Sequence, residues 1–124
     1  MKTVLLNIYD EKVEIIDVKD DLDEFYEKLN CRLIDIVKRK IGNKWFSVMC
    51  DDEGLLIDAP KISAIDSAGR GVMFVGNLMF FHNDGKGRLV GLSDDDIAHI
   101  KKYIKRVYTL DYPAGYPMLT NCEY

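Results

Sequence analysis

Gly42-Asn43, set between the strand-like runs Leu33 to Ile41 and Lys44 to Cys50, constrains the chain more than any other feature. The dipeptide accepts the positive φ values of a tight turn, so the two runs read as an antiparallel hairpin. Thr3 to Tyr9 and Lys12 to Asp17, separated by Asp10-Glu11, predict a second hairpin. In its second arm Val13, Ile15 and Asp17 point one way and Glu14, Ile16 and Val18 the other, which predicts cover on part of both faces. Leu55 to Ile57 and Ile62 to Asp66 read as shorter strands on either side of Pro60, and Ser67 to Gly71 as an exposed loop. Val72 to His82 is the most hydrophobic run, and Gly76-Asn77 at its middle predicts a bulge or a close approach to the backbone.

Helical periodicity occurs twice. Leu22, Phe25, Tyr26 and Leu29 recur at three- and four-residue spacing behind Asp20 and Asp21, either of which can cap a short helix. Ser93, followed three residues later by Asp96, has capping-box spacing and opens a longer helix predicted to run from Asp94 to Tyr108. Ile97, Ile100, Ile104 and Val107 form its apolar stripe, and aspartates at the start with Lys101, Lys102, Lys105 and Arg106 near the end suit the macrodipole. The expected class is α+β: a mostly antiparallel sheet with a short helix in the N-terminal half and a longer C-terminal helix packed on it.

At 124 residues the chain is predicted to form one domain, 1–124. Residues 109–124 form a C-terminal tail whose Tyr112, Tyr116 and prolines imply packing on the body or on a neighbouring subunit. Seventeen Lys and Arg against 21 Asp and Glu give a net charge of −4, the wrong sign for coating duplex nucleic acid. Three well-separated cysteines, Cys31, Cys50 and Cys122, make no C-x-x-C pair or disulfide framework, so a reducing cytoplasm is the expected location. MKTVLLNIY reads as a strand, not a signal peptide, and no run approaches the ~20 apolar residues that span a bilayer.

Catalytic signatures are not found in the sequence: there is no G-x-S-x-G, H-E-x-x-H or Walker loop, and Gly85-Lys86-Gly87 reads as a turn. Neither a metal nor a cofactor is expected. His82 and His99 read as structural, and Asp51-Asp52-Glu53 as a solvated turn without the alternating ligands of a calcium loop. Arg32, Lys38, Arg39, Lys40 and Lys44 give the Leu33–Cys50 hairpin a basic character that either meets an anion or guards a sheet edge. Arg39, Arg70, Arg88 and Arg106 lie at or near element ends, where a guanidinium can hold phosphate bidentately. Asn77, a polar amide inside an apolar run, either bonds backbone locally or faces a polar ligand.

Five segments carry a family resemblance: L-x-x-F-Y-x-x-L-N-C (Leu22 to Cys31), I-D-I-V-x-R-K-I-G-x-K-W-F (Ile34 to Phe46), C-D-D-E-G-L-L (Cys50 to Leu56), V-G-N-L-M-F (Val75 to Phe80) and L-S-D-D-D-I-x-H-I (Leu92 to Ile100). Together they resemble a family of small, mostly uncharacterised domains common in phages and mobile elements, over about residues 3 to 107. Within that group the chain is similar to the phage-encoded anti-Thoeris sponges, which sequester the glyco-cyclic ADP-ribose made by bacterial TIR-domain defence enzymes. The resemblance implies a compact α+β protein without turnover, acting in the host cytoplasm as a homodimer or a larger homo-oligomer such as a hexamer. It also implies pockets at subunit edges for a cyclic ADP-ribose.

An adenine needs an aromatic face, ribose hydroxyls need Asn or Asp, and a diphosphate needs arginine. On that chemistry the candidate ligand-binding residues are Phe74 or Phe80 for the base, Asn77 for ribose or base edges, and Arg88 and Arg106 for phosphates, with Arg39 and Tyr116 as further candidates. The rival expectation is a protein-interaction module that inhibits a host defence protein directly through an exposed hydrophobic and basic surface.

Overall fold

The computed structural model describes residues 1–54 and 60–124. The predicted strand Leu55 to Ile57 lies outside them. The two hairpins form as read from the sequence. β1 (Lys2–Asn7) pairs antiparallel with β2 (Lys12–Asp17), and after α1 (Leu22–Leu29) β3 (Ile34–Ile41) pairs antiparallel with β4 (Lys44–Asp51). Gly42 takes φ +62° at the second turn, and Ile41 stands opposite Lys44. A Cβ at Gly42 would lie 2.5 Å from the Tyr103 ring, so Gly42→Ala is expected to cost about 1–3 kcal/mol in a denaturant melt.

The strands β5 (Ile62–Ile65), β6 (Val72–Val75), β7 (Leu78–Asn83) and β8 (Leu89–Val90) follow, then α2 (Asp94–Tyr103), β9 (Ile104–Val107), β10 (Tyr116–Leu119) and β11 (Cys122–Glu123). They build two sheets. The larger has the order β11-β3-β4-β7-β1-β2, with β8 pairing the end of β7; the smaller has the order β6-β5-β10-β9. Every described pairing is antiparallel except β5 with β10. Where β1 leaves β7, the buried Thr3 hydroxyl donates to Phe80 O at 2.6 Å and accepts from Phe80 N at 3.1 Å, replacing the lost ladder bonds.

Each face of the large sheet has its own cover. Leu5, Met49, Met79 and Phe81 pack under Phe25 and Leu29 of α1. On the opposite face Leu6, Val48 and Phe80 share one core with Ala64 and Met118 of the small sheet and with Ile97 and Ile100 of α2. A strand covered on both sides carries no alternation, which is why Leu78 to Phe81 are all buried.

Two details differ from the sequence reading. The helix predicted over Asp94 to Tyr108 stops at Tyr103, and Ile104–Val107 turns straight into β9, with Ile104 opposite Leu119 and Val107 opposite Tyr116. Backbone pairing with β10 satisfies those residues better than another turn of helix, and Thr120 caps the stop by donating N–H (2.8 Å) and hydroxyl (2.7 Å) to Tyr103 O. The run Val72 to His82 is two strands in different sheets, with Gly76, at φ +79°, as the corner between them. Residues 109–124 supply β10, an inner strand of the small sheet, and β11, an edge of the large one.

Candidate functional site

The hairpin register set by Gly42-Asn43 places Asp35 opposite Cys50 and Arg39 opposite Phe46. Asp35 and Cys50 border a cleft of about 450 Å³ that is completed by Asp51, Asp52 and Gly54 and, from the small sheet, by Val72, Met73, Phe74 and Val75. Two strands of one sheet and an edge strand of the other therefore build it. Arg39 lies beside the cleft: its guanidinium carbon is 5.5 Å from the centre of the Phe74 ring and 4.5 Å from that of Tyr124. One Nη of Arg39 donates to Lys38 O at 2.8 Å, whereas its buried Nε has no hydrogen-bond partner among the described residues.

The chemistry of this corner is mixed. Phe74, Met73, Val72 and Val75 offer an apolar wall, and three carboxylates offer acceptors for hydroxyl or amino groups. Asp51 already spends one oxygen on the backbone N–H of Glu53, at 2.8 Å. Cys50 and Cys122 are pushed up to about 12, chiefly by burial, which keeps both as unreactive thiols.

The structure brings together only some of the residues picked from sequence. Phe74 lines the cleft but is only 8% exposed and belongs to the core between the sheets, and Arg39, which does not line the cleft, lies against its ring. Phe80 is fully buried between the sheets, opposite Val48. Asn77 uses its amide on backbone at both ends, accepting from Ile8 N at 2.8 Å and donating to Lys28 O at 3.2 Å, and so ties the sheet corner to the turn that follows β1 and to α1. Arg106 donates to Gly115 O at 2.8 Å and Ala114 O at 3.2 Å, and the buried Tyr116 donates its hydroxyl to Ile62 O at 2.8 Å. Arg88 sits in the exposed turn closed by Asp84, whose backbone N–H donates to Arg88 O at 3.1 Å. None of these five lines the cleft.

Asp35, Cys50 and Tyr124 were missed as neighbours of the site. The register of the Gly42-Asn43 hairpin was signal enough for the first two; nothing local announces that Tyr124 lies on Arg39.

A second cluster is structural. The Asp96 carboxylate receives Lys44, the backbone N–H of Ser93 at 3.0 Å and His82 Nε2 at 3.0 Å, while Ser93 Oγ accepts from Asp96 N at 3.1 Å, completing the capping box of α2. His82 stacks on Phe46 with ring centres 5.0 Å apart, and His99 Nε2 lies 2.7 Å from Ile41 O. Among the described residues no group of three or more His, Cys, Asp and Glu side chains is placed to hold a metal ion, and no helix is long and apolar enough to cross a membrane.

These features define a mixed α+β domain of mostly antiparallel sheets with, among the described residues, two helices and a cleft where the sheets meet. The chain belongs to the DUF3846 family, described as a domain of unknown function, which it matches over residues 1–107. No curated protein and no solved structure gives a significant match.

Proposed function

We propose that the protein binds and sequesters a cyclic ADP-ribose immune signal, glyco-cyclic ADP-ribose, without degrading it, and so blocks activation of the Thoeris effector in the host cytoplasm. The observation that carries this reading is Phe74 in the wall of a 450 Å³ cleft with the Arg39 guanidinium beside it, 5.5 Å from the ring centre. The adenine stacks on Phe74, and the ribose hydroxyls or the adenine amino group donate to Asp35, Asp51 or Asp52. Those carboxylates repel phosphate, so the diphosphate lies on the Arg39 side, where the guanidinium supplies the positive charge. The quoted sequence motifs add the family resemblance, and the site as drawn demands no nucleophile or general base.

A sponge that outcompetes a receptor needs a nanomolar dissociation constant, about −12 kcal/mol, which a small ligand reaches only when most of its surface is enclosed. To test the reading, purified protein is mixed with the reaction filtrate of a TIR-domain defence enzyme, freed of unbound molecules and heat-denatured, and the released material is analysed by mass spectrometry. The expected result is intact cyclic ADP-ribose, with Phe74→Ala and Arg39→Ala each cutting recovery at least about tenfold while the fold is retained. A changed mass would mean an enzyme. Depletion of nothing from an active filtrate would sink the reading and favour direct inhibition of a host defence protein.

A further inference from the structure

The cations of the basic hairpin do not act alike. Arg32 pairs with Glu53 at 2.7 Å, Lys44 pairs with Asp96, and Arg39 lies against Phe74 and Tyr124. Lys38 and Lys40 have no ion-pair partner among the described residues. They stand directly opposite Ser47 and Trp45 on the face of the large sheet that also carries α1. Trp45 and Ile36 on this strip are 47% and 44% exposed. The helix therefore covers part of its face, over Met49, Met79 and Phe81, and leaves the β3–β4 side bare.

The neighbouring helix has the opposite character. Asp20, Asp23 and Glu27 are exposed on and just before α1 and have no ion-pair partner among the described residues, and Leu22 among them is 55% exposed. An acidic ridge with an apolar knob thus stands one helix diameter, about 10 Å, above a basic strip with an exposed indole. A surface of this kind is complementary to itself. Rotated by a two-fold axis lying between two such faces, each ridge meets the other copy's strip, matching charge, step height and apolar contact twice over.

We propose that the bare β3–β4 strip is a homodimer interface that receives α1 of a second copy. The proposal is independent of the cleft and its ligand. The partner's helix covers Trp45 and Ile36, and its carboxylates meet Lys38 and Lys40.

The test uses the full chain in sedimentation equilibrium, with the emission of its single tryptophan, Trp45, as a local reporter. A two-chain species is expected, with a blue shift of Trp45 emission as concentration rises. Lys38→Glu/Lys40→Glu and Asp20→Lys/Asp23→Lys/Glu27→Lys are each expected to weaken dimerisation at least about tenfold, because each places like charges across the interface, while far-UV circular dichroism stays native. Mixing the two variants is expected to restore the dimer, since one half of the mixed interface keeps its native charges and the other has them exchanged. A monomer at every concentration overturns the proposal, as does a dimer that either variant leaves intact or a mixture that stays monomeric. A monomer whose Trp45 emission responds to polyglutamate or to a thymidine oligonucleotide overturns it too, and assigns the face to that other partner.

Discussion

Phe80→Ala is expected to lower unfolding stability by about 3–5 kcal/mol, the largest effect of any single substitution considered. The ring is fully buried in the core between the two sheets, where truncation leaves a cavity that neither sheet can close without losing ladder bonds. Its backbone is held by the Thr3 hydroxyl, so the site has little freedom to collapse. Urea unfolding followed by circular dichroism measures the change, read as a lower midpoint at constant slope. Ligand affinity, measured on the folded fraction, should change far less than in Phe74→Ala. A midpoint shift below about 1 kcal/mol together with lost ligand binding would return Phe80 to the site and count against the packing described here.

The second large effect is expected at Asp96, where Asp96→Ala should cost about 2–4 kcal/mol. It removes a helix cap and the charge-assisted hydrogen bonds from Lys44 and His82 together. Burial alone would raise this carboxyl's pKa; the hydrogen bonds from Lys44, Ser93 and His82 overcome it and hold the group well below its ordinary 3.8. A carboxyl depressed in the folded state binds its proton more weakly there than in the unfolded chain. Its stabilisation is therefore complete above 3.8 and is lost as pH falls through that value toward the folded one. Urea midpoints measured from neutral pH down to about pH 3 should fall more steeply in the wild-type protein than in Asp96→Asn, which keeps the shape of the carboxyl but not its charge. Parallel curves would remove Asp96 from the acid response.

Local signals were legible and distant ones were not. Gly42-Asn43 encoded both the hairpin and its register, and with them the Asp35–Cys50 pair at the cleft. Ser93 and Asp96 encoded the start of α2 down to both hydrogen bonds of the box. The end of that helix was misread because Ile104 and Val107 continue its apolar stripe, and Lys105 and Arg106 its basic end, while the strand that claims them is Tyr116–Leu119. The same reason hid the corner at Gly76. A glycine and an asparagine inside an apolar run suit a bulge equally well, and only the three-way tie of Asn77 to Ile8 and Lys28 separates the outcomes. The meeting of Arg39 with Phe74 depends on how two sheets pack, which no spacing along the chain records.

The place of β10 has a consequence for how the chain acquires its structure. β5 pairs with β10 in parallel and β9 pairs with it antiparallel, so the two earlier strands have no link in the small sheet until Tyr116–Leu119 arrives. The segment that matches the family ends at Val107, before that strand. Until Tyr116–Leu119 docks, the edges of β5 and β9 that it pairs are left open. Folding of this half is therefore a late event governed by contacts distant in sequence, slow beside hairpin closure, and the chain is most prone to pairing with a neighbour before Tyr116–Leu119 docks.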